Sequence, residues 1–226
     1  MNPAIILAIA LSVAHYFSDV FSKFFKTFHK ETISFSAGFF IAYIFLELFP
    51  KISPGIVYID IFLLMLIGFS LFHIAEKYVY QHNKDKYKLL KDLKELHIIG
   101  FFIDHFIVGF LLILTLKLPG LESILVIIPL ALHTISSSLS LESIDKESKT
   151  SFNKIILSAS TTIGAIAALF ISVFTTLYYS LFALSIGALL YIVIRDILPQ
   201  KDGGSQAYFI IGVLLNILLV ILARSI

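Results

Sequence analysis

Long apolar stretches separated by short polar intervals dominate this chain. Stretches near the ~20 residues that cross a bilayer fall at 3–22, 34–50, 56–78, 98–118, 122–142, 155–174, 177–198 and 206–225. The pattern predicts eight helices. The second is short and leads into Pro50, and little more than TTLYYS separates the sixth from the seventh. Pro119-Gly120 and Asp202-Gly203-Gly204 mark turns. The one polar interval of any length, QHNKDKYKLLKDLKEL at 81–96, is too short for a domain. Residues 1–226 therefore read as a single transmembrane domain with a cytoplasmic loop at 79–97.

Composition moves the reading from helical to membrane-embedded. The chain is 58% hydrophobic and 14% charged, with a mean hydropathy of +0.96. Soluble domains average about 45–50% apolar and about 25% charged residues. A core of this size cannot absorb the excess, so the expected fold is an all-α polytopic membrane helix bundle. Without Cys there are no disulfides and no thiolate metal ligands. A net charge of +2 is no signal for nucleic acid. No basic segment precedes the first run and no small-residue cleavage site follows it, so it reads as a retained helix and not a signal peptide.

The placement of charge orients the helices. Lys and Arg of connecting loops prefer the cytoplasm. With the N-terminus outside, 14 of the 17 basic residues fall inside, and only Lys51, Lys117 and Arg224 remain outside. Both termini then face outward, as expected in a plasma (inner) membrane. This orientation gives meaning to an internal echo. SAGFFIAYIFLELFP at 36–50 and SIGALLYIVIRDILP at 185–199 match Ser36 to Ser185, Gly38 to Gly187, Glu47 to Asp196 and Pro50 to Pro199, always 149 positions apart. The two copies would cross the membrane in opposite senses. Helices one to three and six to eight would form an inverted repeat around helices four and five, a ground plan of secondary transporters. Chance is the alternative, because Gly, Ser and Pro are frequent in membrane helices.

Ionisable residues inside spans cost at least about 2.5–3.5 kcal/mol at the bilayer centre, which makes each a functional candidate. They are His15, Asp19, Glu47, His73, Glu76, Asp104, His105, His133 and Asp196. Asp19, Glu47, Glu76 and Asp196 lie near span ends, where a solvated cap suffices. His15 with Asp19 (i, i+4) and His73 with Glu76 (i, i+3) have the spacing of simple pairs. Asp104 and His133 lie deeper, ~9 Å and ~14 Å from the cytoplasmic helix ends at 1.5 Å per residue, and belong to consecutive antiparallel helices. His133, Ser136, Ser137 and Ser140 line one face of the fifth helix. Imidazole with carboxylate suits Zn²⁺ or a similar divalent ion. Equally, a buried His and Asp can bond each other and seal helix packing. Neighbouring residues on a helix point about 100° apart, so Asp104 and His105 would not serve one ion equally.

These residues carry a resemblance to the ZIP family of divalent-metal transporters over nearly the whole length. GFFIAYIFLELFP, AEKYVYQHN, SASTTIGAIAALF and, most specifically, SIGALLYIVIRDILPQ resemble its helices two, three, six and seven. The metal-binding helices are similar only in part. The family's His-Asn-x-Pro-Glu-Gly falls on DHFIVG at 104–109, with Asp104 at the His position, His105 at the Asn position and Val108 where the Glu ligand belongs. Its His-Glu-x-Pro-His-Glu falls on HTISSS at 133–138, which keeps His133 and puts Thr134, Ser137 and Ser138 at the other ligand positions.

The resemblance implies a transporter, not an enzyme, that moves Zn²⁺ or a similar divalent cation into the cytoplasm without an organic cofactor. Asp104, His133 and His105 would hold the ion, Ser137, Ser138 and Thr134 would add oxygens, and Glu47 would guide cations inward. The lipid bilayer and the metal are the expected partners, with a homodimer as a possible assembly and no nucleic acid. The lost carboxylates keep open a ZIP-fold protein that moves another solute or none. A metal-dependent intramembrane hydrolase built from His15, Asp19, His73, Asp104, His133 and a Ser is the third reading.

Overall fold

The computed structural model describes residues 3–17, 28–82, 86–115, 125, 127–134, 151–171, 175–198 and 203–225. These are helical almost throughout and contain no strand. The helices are α1 (Pro3–Tyr16), α2 (His29–Tyr43), α3 (Phe49–Ile52), α4 (Ile61–His82), α5 (Lys86–Thr115), α6 (Ser151–Ile171), α7 (Thr175–Ile192) and α8 (Gln206–Arg224). Residues 127–134 are also helical. Among the described residues, four segments are long and apolar enough to cross a bilayer: Lys30–Val57, Ile61–His82, Thr175–Arg195 and Gln206–Arg224. Ala4–Tyr16, Ile98–Ile113 and Ile155–Phe170 are shorter apolar helices. The chain thus has the make-up of an integral membrane protein.

The polar interval expected as a loop at 79–97 is helical on both sides of 83–85. Lys, Leu and Glu in KYKLLKDLKEL are strong helix formers, so α5 begins well before its apolar part at Ile98. Predicted turns at Pro119-Gly120 and Asp202 lie outside the described residues.

Both copies of the repeated motif contain a π turn. Ile44–Leu48 joins α2 to α3, and Val193–Ile197 follows α7. Each π turn ends two residues before the proline of its copy. Proline has no N–H, and its ring collides with the carbonyl four residues back. A π turn opens the ladder at that point. In the first copy the freed carbonyl is Leu46 O, which accepts a 2.8 Å hydrogen bond from Arg224 Nη2. That copy continues as helix through Pro50. The second ends at Leu198, whose ψ of 115° is the extended conformation favoured before proline.

Helices pair through glycines. A Cβ on Gly38 would stand 2.1 Å from Phe209 O, and one on Gly187 would stand 1.9 Å from Met65 O. Gly212 meets Phe35 O and Gly68 meets Leu184 O in the same way. Backbones therefore touch along α2–α8 and α4–α7, the small-residue packing typical of membrane helices. Contacts advance from Ser34–Ser205 to Leu46–Arg224 along the first pair, so α2 and α8 run parallel. They advance from Gly68–Leu184 to Glu76–Arg195 along the second, so α4 and α7 are parallel too. A further group, α1, α5 and α6, packs mainly on itself, with Gly109 and Gly164 at the α5–α6 crossing. Phe40, Tyr43, Ile44 and Leu48, with Leu111, Leu130, Phe182 and Ile186, form the core between the groups.

Candidate functional site

Asp104 and His105 sit in the second half of α5, and His133 and Thr134 belong to the helical residues 127–134. All four side chains are buried. His133 Nε2 lies 2.8 Å from Oδ1 and 2.8 Å from Oδ2 of Asp104. One N–H is thereby shared across a whole carboxylate. His105 turns away along its own helix, with Nδ1 2.9 Å from Phe101 O. A carbonyl only accepts, so Nδ1 carries the hydrogen and Nε2 carries the lone pair of the neutral ring. That Nε2 has no hydrogen-bond partner among the described residues. The second nitrogen of a metal-bound His commonly donates to a backbone carbonyl in this manner. His105 Nδ1 is 3.7 Å from Asp104 Oδ2, close enough for attraction but too far for a hydrogen bond.

Aromatic rings wall the group. Phe40 stacks on His133 with ring centres 4.5 Å apart, and His105 and His133 are 6.3 Å apart. His15 of α1, also buried, lies with its ring centre 4.1 Å from that of His105. The sequence offered Asp19 as the partner of His15, but Asp19 lies outside the described residues. Nothing in the spacing of the first and fourth apolar runs signals that His15 and His105 meet.

Thr134 donates its hydroxyl to Leu130 O at 2.9 Å, a bond back along its own helix. Ser137 and Ser138, expected as auxiliary oxygens, lie outside the described residues. Glu47 stands elsewhere, in the π turn after α2. Its carboxylate pairs with Lys51 at 3.3 Å and Arg224 at 3.4 Å, and no contact joins it to Asp104. Two cations therefore stand beside its charge.

His73 and Glu76 do not pair, although their spacing allows it. Glu76 accepts from the Tyr191 hydroxyl and from Arg195 Nε, both on the α7 segment, while His73 sets its edge against the Tyr191 ring. The guanidinium across the helix pair takes the carboxylate in place of the imidazole on the same helix. A cavity of about 310 Å³ opens beside this pair, between α4, α5 and α7. Leu71, Phe72, Ile99, Gly100 and Ile103 help to line it. Gly100 and Ile103 stand on α5 just before Asp104, which is not among the residues lining the cavity. A Cβ at Gly100 would meet open space.

Among the described residues no three His, Asp or Glu side chains already converge as a metal-binding group. The donor types present, imidazole nitrogen and carboxylate oxygen, are ones that a divalent cation can accept. Zn²⁺ binds imidazole nitrogen and carboxylate oxygen at about 2.0–2.2 Å. A cation between His133 Nε2 and Asp104 would replace the shared hydrogen and push the two groups only slightly apart. No protein-family model matches this chain, and no curated protein matches it.

Proposed function

We propose that the chain is a membrane transporter of the ZIP type that carries a divalent cation, Zn²⁺ foremost, into the cytoplasm. Asp104 and His133 hold the ion, and His105 adds a neutral nitrogen. The observation that carries this reading is the buried carboxylate–imidazole pair, beside His105, whose Nε2 has no hydrogen-bond partner among the described residues. An acid inside an apolar bundle is costly, and a cation is the ligand that its charge selects.

Eight membrane passages in an inverted repeat complete the proposal. The π turns support it, since Ile44 and Val193, and Leu48 and Ile197, are each 149 positions apart. So do the packing contacts: Gly38–Phe209 corresponds to Gly187–Met65, and Gly212–Phe35 to Gly68–Leu184. Exchanging the halves turns the α2–α8 pair into the α7–α4 pair. Only the short segment Ser53–Asp60 separates α3 from α4, so α4 returns against α2. With α7 parallel to α4, the two motif copies point in opposite senses. Alternating access then follows from sliding or rocking of α1, α5 and α6, with the ion, against α2, α4, α7 and α8. The cavity between α4, α5 and α7 lies at that boundary and offers a way out. The excess of basic residues at one set of ends makes that side cytoplasmic.

A second reading is favoured by Val108. The position where the family resemblance calls for a glutamate ligand is wholly buried in apolar packing. A chain of this fold with no metal cargo would look the same there. Cells expressing the protein are expected to accumulate Zn²⁺ above vector controls, and Asp104→Ala is expected to abolish the gain. Equal accumulation in both cells and vector, with no binding of millimolar Zn²⁺ by calorimetry, leaves the second reading.

A further inference from the structure

We infer that His15 is a ligand of the ion site, so that α1 contributes to it together with α5 and the helical stretch 127–134. The inference rests on the cation-site reading above and adds to it a residue from a helix that the metal-site motifs do not include.

His15 is buried and its ring lies against that of His105, with centres 4.1 Å apart and planes tilted by 46°. An imidazole in an apolar bundle carries two polar nitrogens that a leucine or phenylalanine of similar bulk would spare. Here two imidazoles share one buried contact, and a third stands 6.3 Å from His105. Imidazoles bound to one tetrahedral ion hold their ring centres roughly 5 Å apart, given metal–nitrogen bonds of about 2.0–2.1 Å. The two observed separations bracket that value. Reorientation of the rings on binding would bring three nitrogens to one ion, and the His105 tautomer leaves Nε2 without a hydrogen for that role. Asp104, 2.8 Å from His133, supplies the single negative charge. Three imidazoles and a carboxylate make a complete tetrahedral shell. This answers the shortage left by the missing carboxylates, since nitrogen donors restore the coordination number without adding buried charge.

The test uses the purified full chain in lipid nanodiscs with Co²⁺ as probe, because its visible absorption reports tetrahedral geometry and donor type. Two variants are compared with wild type. His15→Gln removes the ring, and His15→Phe keeps a ring without a donor. Even outer-shell partners of metal ligands are worth about 10–100-fold in affinity, so both variants are expected to bind at least about tenfold more weakly, with an altered visible band. If wild type binds and His15→Phe binds equally with an unchanged spectrum, His15 is packing and the inference fails alone. If wild type binds no Co²⁺ at millimolar concentration, the cation-site reading fails and takes the inference with it. Should neither variant fold, pulsed electron paramagnetic resonance of Cu²⁺ on wild type decides by counting imidazoles. Three support the inference and two overturn it.

Discussion

The two copies of the repeated motif share geometry and differ in chemistry. Each has a glycine pressed on a neighbouring backbone and a π turn just ahead of its proline. Each π turn is also tied by an ion pair to the helix that its glycine touches. In the first copy the acid belongs to the motif: Glu47 pairs with Arg224 of α8. In the second copy the base belongs to the motif: Arg195 pairs with Glu76 of α4. Close backbone contact leaves no choice but glycine. An ion pair asks only for opposite charges, so its polarity is free to reverse. Between the two motifs the steric requirement is therefore kept, while the polarity of the ion pair is not.

The largest test of this comparison is at the glycines. Gly38→Leu and Gly187→Leu should each destabilise the protein by about 3 kcal/mol or more, because overpacking typically costs about 1–3 kcal/mol even where side chains, not backbone, must yield. Thermal unfolding in detergent should show similar losses for both. A large loss at one site with tolerance at the other would break the equivalence of the copies.

The ion pairs should respond unequally. Arg195 and Glu76 are 20% and 18% exposed, whereas Arg224 is 59% exposed. Arg195→Ala strands a partly buried carboxylate and should cost about 1–3 kcal/mol. Arg224→Ala should cost less than about 1 kcal/mol, in the range of surface pairs, with Lys51 still beside Glu47. Denaturation of the two variants side by side measures the difference, and equal losses would mean that exposure does not set it.

The smallest expected effect is at Pro50. Pro50→Ala restores an N–H that Leu46 O can accept, in competition with Arg224. Stability should change by less than about 1 kcal/mol, while hydrogen exchange around 44–48 should slow as the π turn tightens. Unchanged exchange would mean that the Arg224 bond, and not the proline, keeps the turn open.

The four membrane-length apolar helices among the described residues, the repeated motif and the burial of Asp104, His105 and His133 were all legible along the chain. Each rests on a one-dimensional signal: run length against bilayer thickness, identical spacing, or the cost of charge in lipid. The helical character of the 79–97 interval was legible too, in its Lys, Leu and Glu content, but its polarity suggested a loop. Tertiary structure alone decided the partners. Glu76 has Arg195 and Tyr191, not His73. Glu47 is held by Arg224 from the far end of the chain, and His15 lies against His105. Such pairings depend on how each helix is rotated and how closely backbones approach, and both are set by glycine contacts between segments distant in sequence. Periodicity within one helix carries no record of which neighbour its polar face will meet.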